Sequence, residues 1–153
     1  MLITEYMPIP GPQNLVFRPL QKKDIYPVCL LLEQLSEFPG GVDMIDLEDS
    51  WKNFASSSNA YAVVGISDDK IVCYGSVIIE YKIRGGRSGH IEDIVVDHHY
   101  RRKGFGELLV THLVSFCQMA GCYKVILDCF EETVPFYNKL HFKGSHFGMS
   151  RYL

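Results

Sequence analysis

The most constraining stretch of this 153-residue chain runs from residue 90 to residue 127. His90 to Asp97 is rich in Ile and Val and reads as a strand. It gives way to a loop of three consecutive cations and two glycines, Arg101-Arg102-Lys103-Gly104-Phe105-Gly106. The loop opens directly into a helix: Phe105, Leu108, Leu109, His112, Leu113, Phe116, Cys117 and Ala120 recur at three- and four-residue steps, and Gly121 ends the stripe. Val125-Ile126-Leu127 follows as a short apolar run of the buried-strand kind. A strand–loop–helix–strand unit at the centre of the chain commits it to an α/β architecture.

The flanking pattern agrees. Residues 1–14 read as an extended, proline-bearing lead-in, and 15–153 as one domain. Leu15 to Arg18 alternates weakly, as a first strand would. A helix is expected from Asp24, its N-cap, to about Ser36, with Pro27 tolerated in the first turn and Pro39-Gly40-Gly41 beyond the end. A shorter helix fits Leu47 to Ala55. Ala60–Ile66 and Ile71–Tyr81 form a hairpin around Ser67-Asp68-Asp69-Lys70. Arg84 to Gly89 reads as a loop, Thr133 to Leu140 as a short helix, and Phe142 onwards as a final strand or two.

Composition narrows the function classes. Hydrophobic residues make up 47% and charged residues 22%, which excludes disorder. A net charge of −3 argues against nucleic acid or an acidic membrane surface as the main partner. No run approaches the roughly 18 apolar residues of a membrane span, and Met1 to Gly11 lacks the pattern of a secretory signal. Five cysteines with no CxxC pair suit reduced thiols, hence a cytoplasmic protein. The six histidines show no metal-ligand spacing, so no metal is expected.

A helix N-terminus carries unpaired N–H groups and a positive dipole end, and glycines let a diphosphate approach the backbone. The 101–106 loop is therefore either a phosphate site or a solvated basic turn. Glu92 and Asp93 are unexpected ahead of Ile94-Val95-Val96, because unpaired carboxylates in a buried strand are costly. They belong on a cleft or at a strand end. Alternation would send them to opposite faces unless a bulge re-aims one of them.

The string Arg-x-x-Gly-x-Gly between strand and helix resembles the coenzyme A pyrophosphate loop of the GNAT acetyltransferases. His90 to Val96, Gly121 to Cys129, Phe136-Tyr137 and Met149 to Leu153 resemble the eukaryotic glucosamine 6-phosphate N-acetyltransferases of that superfamily, over about residues 15–153. The resemblance implies the GNAT fold, a mixed, mostly antiparallel twisted sheet flanked by helices. It implies acetyl transfer from acetyl-CoA, as co-substrate, to the amine of glucosamine 6-phosphate.

Particular residues carry this over. Ile94, Val95 and Val96 would offer backbone groups to the pantetheine arm. Arg101, Arg102, Lys103, Gly104, Phe105, Gly106 and Glu107 would hold the diphosphate, with Thr133 and Tyr137 completing the coenzyme site. Glu92 and Asp93 would hold the sugar and help deprotonate its ammonium, and Tyr137 would protonate the departing thiolate. Lys82, Arg84, Arg87, Lys124 and Arg151 are the cations available for the sugar phosphate, and Ser36 supplies a hydroxyl. Asp128 and the basic C-terminal residue would reach the partner subunit's site in a homodimer with exchanged C-terminal strands. Two positions depart from the family: Arg102 stands where the loop carries Gly, and Thr133 where the last helix begins with Asn. The alternatives are a GNAT enzyme acting on another amine (a protein N-terminus, polyamine or aminoglycoside) and a non-catalytic acyl-CoA-binding module.

Overall fold

The computed structural model describes residues 14–144 and 148–153; the expected lead-in falls almost wholly outside them. Five strands form one sheet in chain order: β1 (Val16–Pro19), β2 (Ala60–Ser67), β3 (Lys70–Tyr81), β4 (Arg87–Val96) and β5 (Lys124–Ile126). The first four are antiparallel, and β5 joins β4 in parallel. A parallel neighbour needs a crossover, and α3 (Phe105–Met119) supplies it. The β2–β3 hairpin turns on Asp68 and Asp69, both at positive φ (49° and 59°), which matches the twist of the strands it joins.

Each face of the sheet has its own core. On one face α3 buries Phe105, Leu109, Leu113 and Cys117 against Phe17, Val77 and Ile91. Full burial of a Leu or Phe side chain is worth about 1.5–3 kcal/mol, so this stripe dominates the fold. α4 (Val134–Lys139) packs Phe136 and Tyr137 against the same core. On the other face α1 (Ile25–Leu32) buries Val28 and Leu31 against Ala62, Val64, Tyr74 and Val95. α2 (Leu47–Ser56) adds Phe54 to that core, with Asp46 capping its start through Asp49 N at 2.9 Å. No helix among the described residues is long and apolar enough to cross a membrane.

Four expectations need correction. α1 ends at Leu32, and residues 33–36 close it with N–H groups bonded to the carbonyls of Cys29, Leu31 and Leu32. Asp24 does not cap α1 with its side chain. Its buried carboxylate instead takes the Arg18 guanidinium through both oxygens, one at 2.8 Å, and the Gln21 N–H. β4 starts at Arg87 rather than His90, because the Lys82–Gly86 turn is tight, with Gly85 and Gly86 at φ 90° and 86°. The final strand is absent among the described residues: 142–144 and 148–153 hydrogen-bond to no strand, and 148–153 are exposed.

His112 lies wholly inside the α3 core, 4.9 Å from the Phe17 ring and within reach of the Tyr61 hydroxyl at 3.4 Å. Burial pushes its pKa down from 6.5 to about 4. Between those values the unfolded chain takes a proton that the folded chain refuses. The stability this group contributes is complete above about pH 6.5 and is lost as the pH falls towards 4, up to about 3 kcal/mol in all. Urea unfolding at pH 7.5 and 4.5 should show a larger acid loss for the native chain than for His112→Phe.

Candidate active site

β4 is the strand on which the candidate site is built. Its parallel pairing with β5 covers only Ser88↔Lys124 to His90↔Ile126. Beyond His90, no strand among the described residues pairs with β4 on the side away from β3. That leaves an open strand edge from Ile91 to Val96. One of its carbonyls, Val96 O, accepts a hydrogen bond from Arg101 Nε at 3.0 Å.

The same strand carries a bulge. Tyr74 pairs with Val95 and Ser76 with Glu92, so two residues, Asp93 and Ile94, stand opposite Gly75. Asp93 takes φ +55° to make room for the extra residue. The bulge resets the alternation: Ile91, Ile94 and Val96 pack on the α3 side, and Val95 on the α1 side. Glu92 and Asp93, although adjacent, both line one cleft of about 470 Å³ with Phe54, Ser57, Tyr74 and Ser76. Burial raises the Glu92 carboxyl above its ordinary pKa, and the charges of Asp93 and Asp128 raise it further against a smaller opposing effect of His90. Burial alone raises Asp93. Tyr74 is pushed up to about 12 by burial, with Asp93 adding to the shift. Carboxylates made less acidic this way are better proton acceptors near neutral pH.

The loop after β4 keeps its backbone turned towards α3. Arg102 and Gly104 both have positive φ, 61° and 81°. The first intrahelical bond is Leu108 N to Gly104 O at 3.1 Å, so the N–H groups of Phe105, Gly106 and Glu107 lie in the free first turn of a 15-residue helix. Open space surrounds Gly104, with nothing within 4 Å of where a Cβ would stand. A Cβ on Gly106 would sit 3.4 Å from the Phe136 ring, so α4 approaches the helix start there. Lys103 lies over the Tyr100 ring at 4.9 Å.

Tyr137 is half-buried between Phe136 and Phe142, edge-on to both. Burial raises its hydroxyl pKa, with an electrostatic contribution from Cys129 adding to the effect. Thr133 spends its hydroxyl on the Phe130 carbonyl at 2.8 Å, which leaves it poorly placed for a ligand.

The structure scatters the cations. Lys82 pairs with Glu80, whose carboxyl Lys82 and His90 together hold down at about 2. Arg87 donates to the Ala120 carbonyl at 2.8 Å and lies over the Tyr81 ring. Lys124 lies over Tyr123, while Arg84 and Arg151 are exposed. Among the described residues no cation lines the Glu92–Asp93 cleft, and neither does Ser36. Asp128, expected at a partner's site, acts electrostatically on Glu92 of its own chain. Spacing suggests no metal ligands, but the turn after β4 gathers Asp97, His98 and His99 within 4.8 Å of one another. Phe54, Ser57, Tyr74 and Ser76 line the cleft without standing out in the sequence; for Ser76 the β3–β4 register, which puts it opposite Glu92, brings it in.

A splayed β4–β5 pair, a bulged β4 and a glycine loop feeding the crossover helix define an acyltransferase of the GNAT type. Residues 29–142 match the Acetyltransferase (GNAT) family, and the chain belongs to that family. It is 38% identical over 143 residues to glucosamine 6-phosphate N-acetyltransferase 1 of Dictyostelium discoideum, covering 90% of each chain. It is 37% identical over 135 residues to glucosamine 6-phosphate N-acetyltransferase of Trypanosoma brucei brucei, covering 86% of this chain and 90% of that one. The crystal structure of glucosamine-6-phosphate N-acetyltransferase from Arabidopsis thaliana superposes with a TM-score of 0.80 at 34% identity, covering 90% of this chain and 97% of that one.

Because the Asp128 charge helps raise Glu92, Asp128→Asn should lower the Glu92 carboxyl pKa. A carbon-13 NMR titration of the Glu92 carboxyl in the two proteins reads this directly.

Proposed function

We propose that this chain transfers the acetyl group of acetyl-CoA to the 2-amine of glucosamine 6-phosphate, giving N-acetylglucosamine 6-phosphate and coenzyme A. The observation that carries the reading is the bulge, which brings two carboxyls of raised pKa to one cleft beside an open strand edge. The relatives above, which match most of the chain, support the choice of acceptor.

The chemistry follows from the groups present. The acceptor enters as an ammonium and must lose a proton before its nitrogen can attack. Glu92 and Asp93 are the acceptors for that proton, directly or through water. The free amine adds to the thioester carbonyl, with the open edge at Ile94–Val96 alongside; the C–S bond then breaks to leave a thiolate, and the nitrogen gives up its second proton to the carboxyls or to water. No acyl-enzyme forms in this direct attack. Tyr137 returns a proton to the sulfur; its raised pKa keeps the phenol protonated and available at neutral pH. The diphosphate of the coenzyme meets the free N–H groups at the start of α3 and the cations Arg101, Arg102 and Lys103.

The acceptor phosphate is to be met by cations that one protomer does not bring to the cleft. We assign a homodimer in which the C-terminal segments cross to the partner. Met149, Tyr152 and Leu153 support this: they are apolar yet almost fully exposed, at 96%, 97% and 114%. Arg151 then belongs to the partner's site. The reaction is placed in the cytoplasm, where the five free thiols stay reduced.

Thiol release from acetyl-CoA, measured with a panel of amines, tests the acceptor. Charge-assisted bonds to phosphate are worth about 1.5–3 kcal/mol each, so glucosamine 6-phosphate should exceed glucosamine in kcat/KM by roughly a hundredfold or more. Equal rates, or a better peptide or polyamine substrate, would replace the acceptor assignment. Tyr137→Phe should lower kcat by roughly 10²–10⁴ with little change in either substrate's KM.

A further inference from the structure

The loop that leads into α3 is held from the opposite side of the sheet by one side chain. Gln34 lies just beyond α1, and its amide bridges to the first two residues after β4. Its Nε2 donates to Asp97 Oδ2 at 3.1 Å. Its Oε1 accepts from His98 N at 3.0 Å and lies 3.2 Å from His98 Nδ1. The orientation of the amide follows from its partners, since a backbone N–H can only donate and a carboxylate can only accept. Asp97 has a second duty: its Oδ1 accepts from His99 N at 2.9 Å and caps the turn over His98–Tyr100. Burial pushes the Asp97 carboxyl up, but the bonds from His99 N and Gln34 outweigh it and hold it below the usual range, so it stays ionised.

We propose that Gln34 is a positioning residue for coenzyme binding, fixing the turn Asp97–Tyr100 and through it the placement of Arg101 to Gly104. The proposal rests on the reading of that loop as the coenzyme diphosphate site. The need for such a brace is visible in the backbone. Between Val96 and Phe105 the chain makes no regular ladder, and it passes through positive φ at Arg102 and again at Gly104. On the β side the turn is anchored by Asp97 N to Val72 O at 2.8 Å; on the α1 side it is held by Gln34.

Gln34 is exposed, so its substitution should leave the fold intact, checked by melting temperature. In titrations of the full chain, Gln34→Ala should weaken acetyl-CoA binding by about tenfold, as loss of three hydrogen bonds at a diphosphate loop implies. In the assay its KM for acetyl-CoA should rise while kcat changes by less than about threefold. Gln34→Glu should be no better, since two carboxylates would then face each other. The decisive variant is Gln34→Glu with Asp97→Asn. That swap exchanges donor and acceptor. The new amide at position 97 donates to the new carboxylate at position 34, which still accepts from the His98 N–H. The carbonyl oxygen of that amide still accepts from the His99 N–H. The double variant should recover acetyl-CoA affinity to within about threefold of the native chain, which a merely structural role would not predict. Native affinity in Gln34→Ala, or a double variant no better than Gln34→Glu, overturns the proposal. Gly104→Val separates this from the underlying reading. A side chain at Gly104 would occupy the open diphosphate space, so unchanged acetyl-CoA affinity there would fault the loop assignment itself.

Discussion

The extra residue in β4 is the constraint on which the candidate site depends. With strict alternation, Asp93 would point into the α3 core and Ile94 away from it. The bulge moves the phase by one, so Ile94 and Val96 stay with α3 while both carboxylates reach the cleft. Gly75 makes this possible. A Cβ there would stand 2.6 Å from Ile94 Cδ1 and 2.9 Å from Leu113 Cδ1, so a larger residue would force the ends of these two side chains to shift. The cost of Asp93 at positive φ, of order 1–2 kcal/mol for a residue without glycine's freedom, is offset by the burial that Ile94 keeps.

Charge is divided along β4. The inner end carries Glu92 and Asp93 with Asp128 nearby, and Glu92 and Asp93 are harder to ionise for being there. The outer end starts at Arg87, with Lys82 and Arg84 in the turn before it, all three already engaged or facing solvent. Five residues of strand separate Arg87 from Glu92, roughly 16 Å at the usual rise. Arg87 reaches towards the end of α3, where it meets the Ala120 carbonyl, and does not line the cleft that holds Glu92 and Asp93. Among the described residues the cleft therefore keeps its acidic character, and Met149, Tyr152 and Leu153 at the chain end stay exposed.

Much of the fold was legible because its strongest signals are local. The α3 stripe, the hairpin with its two-residue turn, and the glycine loop each depend on residues close in sequence, and each stands where the pattern puts it. The bulge was legible only as a condition, since two adjacent carboxylates cannot share a face without one; its position needed the register against Ser76. What the local patterns could not give was the partner each polar side chain takes in the fold. Asp24 reads as a cap, but Arg18 outcompetes the helix end for its carboxylate. Arg87 reads as a phosphate ligand, but the carbonyl of Ala120 takes it. Thr133 reads as a coenzyme contact, but its hydroxyl turns back to Phe130. The strands expected after Phe142 lack a neighbour among the described residues. Gln34 has no local signal at all; its bond to Asp97 spans 63 residues of sequence.

The two halves of the site are held to each other through α3. At its far end the helix lies so close to β4 that a Cβ on Gly89 would overlap Cys117 Sγ. At its near end Gly106 sits against Val96, with 3.6 Å from a notional Cβ to Val96 Cγ2. Glycine on the strand at one contact and on the helix at the other lets α3 approach β4 along its whole length. The open edge, the bulge and the start of α3 are therefore closely packed together. A coenzyme anchored by its diphosphate at that helix start would have its thioester end carried back along Val96 to Ile94, towards the two carboxyls. Binding energy from the remote diphosphate can then be used to place the reacting carbon.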